Sequence, residues 1–189
     1  MPEQVAGPPR DVRFELARDA GVLRFTGRFQ AGEGAGHWSF VPSAEYLSGM
    51  GTLGYPGIDK GSAYTLAVLD VSRLFAQDLA ALGYRGLGLD ELVSLRVHGV
   101  DAPFVRGLTA LGYDRVPLAR LVTFRIHGVT PEFIGQMAAV GYARLGPDDL
   151  VNLRTHGITP DFVRRANAAA RAPLSVARLV DLRIQGHQP

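Results

Sequence analysis

One segment recurs in this chain at a fixed step, and that recurrence limits the available folds more than any other feature. The runs LVSLRVHGV, LVTFRIHGV, LVNLRTHGI and LVDLRIQGH begin at Leu92, Leu121, Leu150 and Leu179, each 29 residues after the last. The same step relates Phe75, Phe104, Phe133 and Phe162, and the Gly-Tyr pairs that start at Gly83, Gly112 and Gly141. One step upstream stand Tyr46 and Gly54-Tyr55, so SAEYLSGMGTLGY is an earlier copy. A fixed period in the range of roughly 20–50 residues marks stacked supersecondary units. Five units are expected, over residues 43–71, 72–100, 101–129, 130–158 and 159–189.

The recurring positions are those that start and stop helices. Ser43, Ser72, Asp101, Thr130 and Thr159 share one column, and each has a side-chain oxygen able to accept from the free amides of a helix start. Pro131 and Pro160 follow at the first helical position, where the missing N–H costs nothing. Each first helix should end at the glycine of the Gly-Tyr pair, because a left-handed terminating residue suits glycine and turns the next residue back onto the last turn. That predicts apolar partners for the tyrosines at Met50, Leu79, Leu108 and Met137. The second helix should end likewise at Gly99, Gly128 and Gly157, with Val100, Val129 and Ile158 folding back on Leu95, Phe124 and Leu153.

Each unit is thus a pair of helices of about ten residues, too short to persist without neighbours. Small residues such as Ala80, Ala81, Ala110, Ala138, Ala139 and Ala168 allow close approach. The last unit reads Ala170-Arg171 in place of Gly-Tyr and ends in Gln185-Gly186-His187, as expected of a terminal copy with one face in water.

Before Ser43 the hydrophobic period changes to two. Val12, Phe14 and Leu16, then Leu23, Phe25 and Phe29, then Trp38 and Phe40 alternate with polar residues, which predicts three strands. Asp19-Ala20-Gly21 and the AGEGAG run at 31–36 supply the turns. Three strands alone are marginal, so their apolar face should cover the first helical unit, with Trp38 turned inward. The expected fold class is α+β and mostly α: a disordered stretch at 1–10, an antiparallel β meander at 11–42, and an α-solenoid of helix hairpins at 43–189, packed with the meander as one domain. The run Tyr64–Leu69 fits a strand as well as a helix, and Ala63–Leu69 is assigned to helix by its column.

Composition narrows the function classes. With 47% apolar and 20% charged residues the chain can build a core and stay soluble. No apolar stretch approaches the roughly 20 residues of a membrane span, and MPEQVAGPPR lacks the apolar core of a secretion signal. The expectation is a protein without membrane insertion, cytoplasmic by default and extracytoplasmic if the chain is a fragment or mature form. No cysteine is present, which excludes disulfides and thiol chemistry. A net charge of +2, with fourteen basic and ten acidic groups in residues 72–189, gives no basic patch of the kind nucleic acids require.

Two sets of side chains invite a functional reading. On a helical wheel, Leu92, Val93, Leu95 and Val97 form an apolar face centred on Arg96, and Arg125, Arg154 and Arg183 repeat it. Guanidinium groups buried there would need the free carbonyls of nearby helix ends, so the four are expected to form a structural arginine ladder; an anion-binding ladder is the alternative. On the opposite face Glu91, Ser94 and His98 align, followed by Arg120, Thr123 and His127 and then Asp149, Asn152 and His156. This strip is the candidate partner-binding surface, a plain solvated face being the other reading. No metal site is expected at the histidines, because successive units about 8–10 Å apart hold them too far from one ion. Gly32, Gly34 and Gly36 precede a strand and not a helix carrying Lys and Ser/Thr, so they are no phosphate loop. No serine elbow, cysteine nucleophile or dense carboxylate cluster occurs, so no catalytic residue, no enzyme activity and no cofactor is expected.

The run LVTFRIHGVTPEFIGQMAAVGY resembles repeats of the form L-R-I-H-G-V-T-P-E-F in uncharacterised bacterial proteins, including regions attached to membrane metallopeptidases of the β-lactam-sensing type. The resemblance covers Ser43 to Gly186, and FTGRFQAGEGAGHWSFVP is similar to the strand segment accompanying those repeats. It implies a sensory or regulatory accessory region, often outside the membrane. The HExxH zinc motif of the peptidases is missing here, so their activity is not carried over. The expectation is a non-catalytic scaffold for a protein or peptide, with a nucleic-acid or anion binder as alternative.

Overall fold

The computed structural model describes residues 8–186. The expectations for residues 1–7 and for His187 lie outside the described residues. The chain divides into two compact units, with the boundary after Arg96.

The first unit opens with β1 (Arg10–Arg18), β2 (Gly21–Gln30) and β3 (Glu33–Pro42), an antiparallel sheet in the order β1-β2-β3. The alternating apolar residues meet in register: Phe14 faces Phe25, which faces Trp38, and Leu16 faces Leu23, which faces Phe40. Only Ala31 and Gly32 of the AGEGAG run form the second turn, both with positive φ, while Glu33 to Gly36 extend β3. A two-residue turn with both φ positive matches the twist of the strands it joins. It leaves the four following residues free to pair.

Ten helices follow among the described residues: α1 (Ala44–Thr52), α2 (Lys60–Val68), α3 (Arg73–Ala81), α4 (Leu89–Val97), α5 (Ala102–Ala110), α6 (Leu118–Ile126), α7 (Pro131–Ala139), α8 (Pro147–Thr155), α9 (Pro160–Ala170) and α10 (Val176–Ile184). The segment open to two readings is helical, as α2. It packs on β2 and β3, with Tyr64 stacked on Trp38 at 5.0 Å and edge-on to Phe40 at 5.7 Å. The sheet is covered over part of its length only. Leu23 and Phe40 are buried, but Trp38, expected to point inward, is 57% exposed, and Phe14 and Phe25 are half-exposed. The strands run on past α2, and Phe14 and Phe25 stay half-exposed there.

The capping column behaves as its chemistry requires. Ser43, Ser72, Asp101, Thr130 and Thr159 each accept from the amide three residues on, at Tyr46, Phe75, Phe104, Phe133 and Phe162. Gly83, Gly112 and Gly141 stand just past helix ends with φ of 96°, 85° and 96°. Tyr84, Tyr113 and Tyr142 then donate their N–H to Leu79, Leu108 and Met137 at 3.0 Å, the chain reversal that satisfies free carbonyls at a helix end. In the second unit the tyrosine hydroxyls reach further: Tyr113 donates to the Leu145 carbonyl at 2.8 Å and Tyr142 to the Leu174 carbonyl at 2.6 Å. Each ties one helix end to the loop 32 residues later.

The interior is apolar. Tyr46, Met50, Leu66 and Leu79 fill it in the first unit, and Leu108, Leu121, Phe124, Met137, Leu150 and Leu153 in the second. Tyr46 carries a polar atom inward, donating its hydroxyl to the Val71 carbonyl at 2.8 Å. Burial pushes its phenol up to about 12.

Candidate interaction surface

The predicted arginines lie beside the buried face, not at its centre. Leu92 and Leu95 are buried, as are Leu121 with Phe124 and Leu150 with Leu153, while Val97 is 58% exposed. Arg96 and Arg125 are therefore half-buried, and Arg154 and Arg183 exposed. Each guanidinium rests on the ring of a phenylalanine 21 residues earlier: Arg96 on Phe75, Arg125 on Phe104, Arg154 on Phe133 and Arg183 on Phe162, at 4.9–5.6 Å from the centroid. A cation over an aromatic face is attracted by the ring quadrupole. The wheel erred by including Val97 in the inward set, which shifted the apparent centre of the buried face onto the arginine.

Carbonyls complete the coordination of two of them. In the first unit Arg96 donates from Nε to the Leu69 carbonyl at 3.1 Å and from Nη2 to Asp70 at 2.7 Å. Asp70 also faces Arg18 of β1 at 3.6 Å. Its φ is +58°, in the column held by Gly99, Gly128 and Gly157 further on; aspartate is among the few side chains that enter the left-handed region as single residues. In the second unit Arg125 donates from Nε to the His98 carbonyl at 3.2 Å, at a helix end where positive charge is favoured.

The polar strip divides between the units. In the first, Glu91 accepts from the Gly88 amide at 2.7 Å, and Ser94 is half-buried. In the second, where α6 neighbours α8 and α8 neighbours α10, Arg120 pairs with Asp148 at 2.7 Å and His127 Nδ1 meets the Thr155 hydroxyl at 3.2 Å. The first bond links α6 to α8 and the second links the residue just past α6 to α8, and neither Asp148 nor Thr155 belongs to the predicted set. Asp148 stands one residue before Asp149 and Thr155 one before His156, so the spacing of three and four had selected a neighbouring row. Thr123 turns its hydroxyl to its own helix, donating to Ala119 at 2.8 Å, and His156 Nδ1 lies 2.9 Å from the Asn152 carbonyl. Glu132 is held below the usual carboxylate range by a hydrogen bond from its own backbone N–H, then by the Thr130 side chain and the charge of Arg125. No cluster of three or more potential metal ligands occurs among the described residues, nor does any helix among them have the length and apolarity to cross a membrane.

Sequence reasoning missed an apolar row on the same exposed helix faces. Val97, Ile126 and Ile184 are 58%, 61% and 67% exposed, with Thr155 exposed in the same column. The step of 29 residues was the signal that could have found it. Comparison with protein-family models, curated proteins and solved structures gave no match.

Proposed function

We propose that this chain is a non-catalytic scaffold that binds a protein or peptide, built as an α-solenoid of five helix hairpins of about 29 residues capped by the β meander. One observation carries the reading: the same cap, the same chain reversal and the same arginine-on-phenylalanine contact recur along the chain, while a polar column on the second helices varies. Ser94, Thr123 and Asn152 occupy one exposed or half-exposed column with three different side chains. A frame held constant beneath a varied face is how stacked repeats present a recognition surface. The resemblance to bacterial accessory repeats fits a sensory or regulatory setting. An anion-binding role for Arg96 and Arg125 is less well supported, because both are half-buried and donate to backbone carbonyls.

The test is a differential capture from the native host. Wild-type protein and a Thr123→Arg/Asn152→Arg double variant are used as bait, with circular dichroism to verify equal folding. Proteins retained by the wild type and lost by the variant support the reading. Turnover of a small molecule abolished by one substitution, or RNA and DNA retained in its place with a steep salt dependence, would sink it.

A further inference from the structure

The exposed faces of α6 and α10 present two apolar residues each along one side, and that of α8 one apolar residue and a threonine. Val122, Val151 and Val180 are half-buried, and Ile126, Thr155 and Ile184 stand beyond them in solvent. Isolated apolar residues on a surface are ordinary, but a row across three neighbouring helices is a patch. Its two flanks differ in charge. On one side lie Arg125, Arg154 and Arg183; Arg154 and Arg183 are exposed and rest on Phe133 and Phe162, with no carboxylate paired to either among the described residues. On the other side lie the neutral Thr123 and Asn152 and the acidic Asp181.

The first unit shows what the inner column of such a row accepts, its outer residue Val68 being exposed. In α2 the same columns of the sequence hold Tyr64 and Val68, and Tyr64 is covered by Trp38 and Phe40, alternate residues of an extended strand. From these observations we infer that the Val122–Ile126, Val151–Thr155 and Val180–Ile184 row binds an extended peptide with apolar residues at intervals and acidic residues along one side. This deepens the scaffold reading above and rests on it. Packed helices lie about 8–10 Å apart, and a polyproline-type chain returns to the same face every three residues, or about 9.3 Å. A peptide crossing the three helices therefore sets one apolar side chain on each row, with its carboxylates over the arginines.

Fluorescence anisotropy tests this with a labelled peptide of repeated Glu-Leu-Ser triplets, against Lys-Leu-Ser and Glu-Ser-Ser peptides of equal length. The intact chain is expected to bind the first about tenfold or more tighter than either control. Ile126→Ser/Ile184→Ser, two exposed positions, should weaken it about tenfold, as should Arg154→Ser/Arg183→Ser, with rising salt eroding the second contribution only. Equal binding of the lysine peptide, equal binding of the leucine-free peptide, or no loss in the isoleucine variant would each overturn the inference. Sedimentation showing concentration-dependent dimers abolished by Ile184→Glu would assign the row to a second copy and overturn it too. Failure of the peptide alongside successful differential capture at Thr123 and Asn152 would remove this occupant and leave the scaffold reading standing.

Discussion

At position 128 any side chain larger than hydrogen meets two obstacles. The backbone has φ +69°, and a Cβ there would lie 2.7 Å from Nη2 of Arg154. Gly99 is placed likewise against Arg125 at 2.6 Å, whereas Gly112 has φ +85° but open space around it. Strain alone in the left-handed region costs about 1–2 kcal/mol, and displacing a guanidinium from its ring about 0.5–1 kcal/mol more. Gly112→Ala should therefore lower the unfolding free energy by about 1–2 kcal/mol, and Gly128→Ala by up to about 1 kcal/mol beyond that. In an Arg154→Ala background the excess should vanish, because the obstacle has been removed. Urea unfolding of the wild type and the four variants reads this directly, and an excess that persists without Arg154 would show that the contact is incidental. The first copy supports the pairing from the other side: where the later arginine column reads Ala67, the phenylalanine column reads Tyr46. With no cation to stack on it, that ring is fixed by its hydroxyl on the Val71 carbonyl.

Helices of nine residues, the length of all but α9, do not survive on propensity, so their ends decide where they form. Those ends were the most legible part of the fold, since a cap is a contact between residues three apart and a chain reversal one between residues five apart. Thr130 is a representative case: its hydroxyl accepts from the Phe133 amide at 3.2 Å. Thr130→Ala should cost about 1 kcal/mol, and Thr130→Ser much less, by thermal or denaturant unfolding. A larger loss for the serine variant would mean that the methyl group, not the oxygen, matters there. What the sequence concealed lies at longer range. The tyrosine hydroxyls bind carbonyls 32 residues away, and the sole hint was that the column is Tyr and not Phe. The open far half of the sheet was hidden because alternation reports which face is apolar but not how much of that face is covered. Of the candidate surface, the strip of Arg120, Thr123 and Asn152 was visible as a polar row, yet its inter-helix bonds run through Asp148 and Thr155, and its apolar neighbour was taken for core.

Across the whole molecule, no polar or charged residue is fully buried among those described, so electrostatic ties belong to the seams between elements and respond to pH and salt. The densest seam joins the sheet to the helices of the first unit. Asp19, in the turn between β1 and β2, accepts from the Arg73 backbone amide at 2.8 Å, from Nε at 3.1 Å and from Nη2 at 2.8 Å, while Glu45 takes Nη1 at 2.8 Å. Hydrogen bonding from the Arg73 side chain holds the Asp19 carboxyl below its ordinary value. The unfolded chain, titrating at about 3.9, thus takes up the proton first as pH falls. The stability contributed by Asp19 is complete above that value and is lost as pH drops through the lower folded one. Asp19→Asn should therefore be less stable than wild type at neutral pH, and the two unfolding free energies should converge as acid is added below about pH 4. Added salt at neutral pH should narrow the same gap, because these groups are partly exposed. Urea titrations over a pH series decide it: curves that stay parallel into acid would show that the turn is held by its backbone and not by the carboxylate.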